Sequence, residues 1–166
     1  MVHAFIASGI DYCSSVLYGI SAVHIRPLQN VLNAAARLLL RRRKFDHIND
    51  AVRDKLHWLP VVQRIEFKVC MYIYKCLRQS APSYLCAMCV PVLSCPGQRQ
   101  LHSATRDDLA IPRFKLQTYG HRSFPVSGPA LWNSLPLTAR DLTISFSRFR
   151  VILKTVMFNR AYKTFA

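Results

Sequence analysis

"KLHWLPVVQRIEFK", residues 55–68, gathers a histidine, a tryptophan, a proline and the chain's one glutamate into a short stretch. Such density has two readings, a polar site or the opening of a helix. Periodicity decides for the helix. Pro60 suits a first helical turn, where a missing N–H is no loss. Beyond it Val62, Ile65, Val69, Ile73 and Cys76 recur at helical spacing and form one apolar face. Arg64, Lys68, Lys75 and Arg78 lie opposite, and Ser80, Ala81 and Pro82 end the segment just after Arg78. Leu56, Trp58 and Leu59 pack at the entry. Glu66 falls beside Val62, Val69 and Ile73, with no base three or four residues away. A carboxylate there needs a cation from another segment, since an unpaired buried charge costs several kcal/mol. Arg37 and Arg122 are the candidates for this ion pair.

The preceding stretch, "HIRPLQNVLNAAARLLLRRRKF" (24–45), carries Ile25, Leu28, Leu32, Ala35 and Leu39 as a second apolar stripe. Arg26, Asn30, Asn33, Arg37 and Arg41 line the other side. The run Arg41, Arg42, Arg43, Lys44 closes the helix, where cations complement the dipole. Between these helices "NDAVRDKL" reads as a short one, capped by Asn49 or Asp46. Further on, Tyr84–Cys89 is a short helical turn, and "GPALWNSLP" is a short helix bounded by Pro129 and Pro136. The last helix carries Phe146, Phe149, Leu153 and Val156. "LAIPRFKL" and "TYGHRSF" alternate apolar and polar residues around a proline and a glycine, which predicts a small irregular β-hairpin near residues 109–124. The expected fold is mainly α, with amphipathic helices around one core.

Twenty-three Lys and Arg oppose eight Asp and Glu, a net charge of +15. A folded domain so basic meets a polyanion, and nucleic acid comes first. An acidic protein or an anionic membrane surface is the alternative. The bases are uneven: residues 41–78 hold ten against four acids, and 121–166 hold seven against one. No stretch reads as membrane-spanning or as a secretory signal. Six irregularly spaced cysteines then suit reduced thiols in the nucleus or cytoplasm, not a secreted protein.

The residues for catalysis are thin. Metal-dependent polymerases and nucleases converge two or three carboxylates on Mg²⁺. Here only Asp107 and Asp108 adjoin, while Asp46, Asp50 and Asp54 share a spacing that suits a solvated ion-pair surface among Arg53 and Lys55. Cys86, Cys89, Cys95 and His102 are a weak zinc pattern without a second tight pair. No cofactor is expected. Trp58 and Trp132 sit beside Leu and Pro, and read as packing residues with Pro60 and Glu66. The basic stripes are the binding candidates: Arg26, Asn30, Asn33, Arg37, Arg41, Arg42, Arg43 and Lys44, then Arg64, Lys68, Lys75 and Arg78. Arg and Asn contact phosphate and sugar without demanding a sequence.

Several stretches together resemble the C-terminal part of reverse transcriptases from non-LTR (LINE-type, jockey-like) retrotransposons. They are "IDYCSSVLYG" (10–19), "LQNVLNAAARLL" (28–39), "KFDHI" (44–48), "LHWLPVVQRIEFK" (56–68), "APSYL" (81–85), "TYGHRSF" (118–124) and "GPALWNSLP" (128–136). They stand in the family's order and at its spacing over nearly the whole chain. The resemblance implies that residues 1–45 are the thumb end of the polymerase, flanking the template–primer duplex, and that 46–166 are a C-terminal extension. It carries over no catalytic residue, because the palm with its paired aspartates is not in this chain. The parent protein would be an RNA-directed DNA polymerase, and this chain a non-catalytic fragment or truncated gene model of it. Its expected partners are RNA or an RNA–DNA duplex, bound non-specifically and salt-dependently, and the missing polymerase domains. A protein-interaction module and a non-functional relic are the alternatives.

Overall fold

The computed structural model describes residues 3–94, 107–114 and 120–162. Its helices are α1 (Ser8–Asp11), α2 (Ala22–Leu40), α3 (Asn49–Ala51), α4 (Val61–Leu77), α5 (Ser83–Cys86), α6 (Phe124–Asn133), α7 (Leu137–Arg140) and α8 (Phe146–Tyr162). Single π-helical turns span His3–Ala7 and Val52–Leu56, and 3₁₀ turns span Ser14–Leu17 and Val92–Ser94. The chain divides into two compact units, Met1–Glu66 with Met157–Ala166, and Phe67–Val156. The mainly helical class is as the periodicity predicts.

In the first unit α2 buries Ile25, Leu32, Ala35 and Ala36. They share a core with Ile48, Val52, Trp58, Val61 and Ile65, and Leu28 packs at its edge. Each large aliphatic side chain so placed contributes roughly 1.5–3 kcal/mol. Leu39, expected on this face, is 42% exposed, because the chain turns away at Arg41 and the core ends one turn earlier. Pro27 sits inside α2 and denies a hydrogen bond to the carbonyl of Val23, a residue that is exposed.

The entry to α4 is held from three directions. Pro60 precedes the helix and its carbonyl accepts the Arg64 N–H at 2.9 Å. The orphan N–H of Val61 is taken by Gln29 Oε1 of α2, also at 2.9 Å. Tyr162 O–H donates to the carbonyl of Trp58 at 2.7 Å. This anchoring turns Val61 inward and leaves Val62 exposed, one position off the face that spacing predicts.

In the second unit Tyr74 of α4 stacks on Phe149 of α8 with ring centroids 4.3 Å apart, and Trp132 tilts against Phe149 at 6.0 Å. The Tyr74 hydroxyl donates to the Ile144 carbonyl. Along the part of α8 in this unit the fully buried positions are Phe149 and Leu153. Helix α6 starts at Phe124 with Pro125 in its first turn, so Pro129 lies inside it and does not bound it. A Cβ on Gly128 would meet Ile73 Cδ1 at 3.4 Å, so α6 runs close against α4.

The hairpin expected near residues 109–124 is not formed by the described residues. Residues 111–114 have no regular structure, Phe124 already belongs to α6, and 115–119 lie outside the described residues. Leu109 instead makes an isolated antiparallel bridge with Pro91, through Val92 N–H to Asp108 O (3.0 Å) and Ala110 N–H to Val90 O (2.8 Å). Its own N–H and C=O are both taken by the side-chain amide of Asn133, each at 2.9 Å. A helix-borne amide fills the place of a second strand.

Candidate nucleic-acid interface

The bases expected to line a nucleic acid separate into those bound within the fold and those at the surface. Arg37 Nε and Nη2 donate to the carbonyl of Asp46 at 3.3 and 3.2 Å. Asn33 Oδ1 accepts from Gln29 Nε2 at 2.9 Å. Arg64 pairs with Asp11, Nη2 to Oδ2 2.7 Å, and both side chains are largely buried. Lys75 Nζ stands 5.3 Å over the ring of Phe146. Arg78 is exposed, 5.8 Å from the Tyr74 centroid, with a long hydrogen bond to the Ile144 carbonyl at 3.4 Å. Lys68 is half-buried. On α4, Arg64 and Lys75 are thus engaged by the fold, since an outward base near an apolar edge finds rings and carboxylates of its own chain, while Arg78 stays at the surface.

Arg26, Asn30, Arg41, Arg42, Arg43 and Lys44 are exposed. The last four form the turn that ends α2. Arg42 N–H bonds back to Arg37 O at 2.9 Å and Arg41 N–H to Leu38 O at 3.3 Å, a Schellman closure. Arg41 stands at its centre in the left-handed region with φ 50°, where glycine is the default residue. The far end of the turn is held at Asp46, whose Oδ2 accepts the Arg43 N–H at 3.1 Å and whose carbonyl accepts Arg37. Between these anchors Phe45 is 88% exposed, with Lys44 Nζ 5.6 Å from its ring centroid.

The residues expected to be structural are placed as follows. Trp58 is buried, and Trp132 is fully buried with its indole N–H donating to Asp107 O at 3.2 Å. Pro60 directly precedes α4. Glu66 is half-buried, and burial pushes its carboxyl above the usual range while the charge of Arg160 opposes that shift. The charge that acts on Glu66 is thus that of Arg160 on α8, while Arg37 is turned to Asp46.

Carboxylates do not gather for catalysis among the described residues. Asp54 pairs with Arg53 at 2.6 Å, Asp50 lies 3.8 Å from the same guanidinium, and Asp108 pairs with Arg140. No group of three His, Cys, Asp or Glu among the described residues could hold a metal ion, and Cys95 and His102 lie outside them. Cys86 donates to the Ala81 carbonyl at 3.3 Å. Cys89 is buried beside Cys76, a helix-face residue that spacing did not connect to it. Burial, with Cys89 and Cys86 adjacent, pushes the Cys76 thiol up to about 12. Protonated thiols of this kind are weak nucleophiles.

One basic surface escapes a search for Arg–Asn stripes. Helix α8 contains no acid, and Arg148, Arg150 and Lys154 are exposed on it. The signal available in sequence was the absence of Asp and Glu from 146–162, not any spacing of bases. No helix among the described residues is long and apolar enough to cross a membrane.

The chain matches no protein-family model, no characterised protein and no solved structure. What it binds is read from its own side chains.

Proposed function

We propose that this chain is a non-catalytic, nucleic-acid-binding part of a non-LTR retrotransposon reverse transcriptase, corresponding to the thumb end and C-terminal extension. It contacts the backbone of an RNA or RNA–DNA template–primer through its exposed bases. The observation that carries the reading is the turn Arg41–Lys44, four consecutive exposed cations at the end of a thumb-like helix in a chain of net charge +15. Phosphate neutralisation by such a run is sequence-independent and releases counterions. Arg26 and Asn30 on the same helix extend the contact, and the acid-free face of α8 supplies a second one.

Fluorescence anisotropy with a labelled RNA–DNA duplex tests this. Affinity falls steeply between low and moderate salt, and Arg42→Glu with Arg43→Glu flattens the salt slope by roughly 0.9 for each phosphate left unneutralised. Affinity indifferent to salt would rule the reading out. A second reading, docking onto protein, is favoured by Phe5, Tyr12, Val16 and Val23, each more than 70% exposed. The polymerase domains implied by the resemblance are the partner it suits. A non-cooperative thermal melt would favour a relic that does not fold without them.

A further inference from the structure

We propose that Phe45 is a stacking platform for an unpaired nucleobase, so that the Arg41–Lys44 turn takes single-stranded RNA or DNA. This rests on the nucleic-acid reading above and narrows it from duplex backbone to strand. Phe45 is 88% exposed, the most exposed large hydrophobic side chain among the described residues. An isolated exposed ring is ordinary on protein surfaces. This one is set apart by its setting. Four cations directly precede it, and the turn that presents it is tied at both ends, by the Schellman closure at Arg41 and Arg42 and by Asp46.

A ring flanked by cations matches the repeating unit of a single strand, one π-face and one phosphate per nucleotide. In a continuous duplex the base faces are already stacked on one another, so the ring has nothing to cover. In a strand, or at a splayed end, the base settles on Phe45 while Arg42, Arg43 and Lys44 meet the flanking phosphates. Lys44, already over the ring, brings its ammonium close to both. Attachment to an anionic membrane draws on the apolar face of an amphipathic helix, whereas Phe45 stands on a short turn.

The experiment compares a base-bearing single strand with an abasic strand of equal length and charge, by anisotropy on the intact chain. The wild type prefers the base-bearing strand by roughly fivefold or more, the worth of one stacked base. Phe45→Ala brings the ratio toward one without lowering the melting temperature, and Phe45→Trp restores it with quenching of the new indole. Equal binding of both strands by the wild type overturns this inference and leaves the backbone reading standing. Failure to bind either strand or duplex overturns both. An indole that shifts to the blue on phosphatidylserine vesicles and is not quenched by strands assigns the ring to a membrane and overturns the inference.

Discussion

The guanidinium of Arg64 meets the carboxylate of Asp11 in a two-pronged ion pair, Nε to Oδ1 at 2.9 Å and Nη2 to Oδ2 at 2.7 Å, across 53 residues of sequence. With side chains only 14% and 26% exposed, the pair ties α4 to the end of α1. Arg64→Ala or Asp11→Asn should each destabilise the fold by ~1–3 kcal/mol, less than a fully dry pair because water still reaches both groups. The double variant should recover part of the loss in urea denaturation. Strictly additive losses would mean that the two charges do not interact. Nucleic-acid affinity of the folded Arg64 variant should stay within roughly twofold of wild type if phosphates are met by the exposed bases.

Gln29 acts as a cap supplied from outside the helix it caps. Gln29→Ala leaves the Val61 N–H without its acceptor and should cost ~1 kcal/mol. Gln29→Glu keeps an acceptor for Val61 and adds negative charge at a helix N-terminus but loses the donor to Asn33 Oδ1, so it should melt above the alanine variant and below wild type. A glutamate variant as unstable as the alanine one would show that the hydrogen bond to Val61 is not the source of the stability.

Arg41 offers a separation of stability from binding. Its left-handed backbone is costly for any residue with a Cβ. Arg41→Gly should therefore raise stability by up to ~1 kcal/mol while weakening duplex binding and reducing the salt slope. A variant both more stable and equally tight in binding would remove Arg41 from the interface.

Asn133 holds both polar groups of the Leu109 backbone, at a residue only 2% exposed. Asn133→Ala strands that N–H and C=O together, a loss of ~2–4 kcal/mol. Hydrogen exchange resolved by residue should show the Leu109 amide deprotected beyond the global change. Uniform deprotection would mean that the clamp has no local role.

Glu66 makes stability depend on pH in an unusual direction. Burial raises its folded value above the ordinary 4.5, so the folded state favours the protonated acid. That contribution is present below 4.5 and is lost as pH rises toward the folded value. Glu66→Gln should thus be the more stable protein at neutral pH, by less than ~1 kcal/mol since the group is only half-buried. The two melting curves should converge near pH ~3.5. A gap of the same size at both pH values would point to packing and not ionisation.

The helices were legible where burial of one face imposes a period, as α2 and α4 show, whereas α8 carries it only weakly. Their exact rotation was not. Val61 and Val62 are equally apolar, and the hydrogen bonds that anchor the entry to α4 choose the first; Leu39 fits the stripe of α2 but falls where the core ends. The alternation in 109–116 is a genuine extended signal at Leu109, yet its partners are Pro91 and an amide on α6, which no local pattern can name. Pro129 reads as a boundary because helices usually avoid an interior proline, and α6 accommodates it.

The candidate interface divides in the same way. Charge and its clustering are properties of composition, so the basic character of residues 41–44 and the helical course around them follow from the sequence itself. Which bases remain at the surface is set by neighbours that folding supplies: Asp11 takes Arg64, Phe146 takes Lys75, and the Asp46 carbonyl takes Arg37. Helical periodicity places a side chain on a face, because that geometry is local. Whether the face meets water, a ring or a carboxylate depends on segments brought together only by folding.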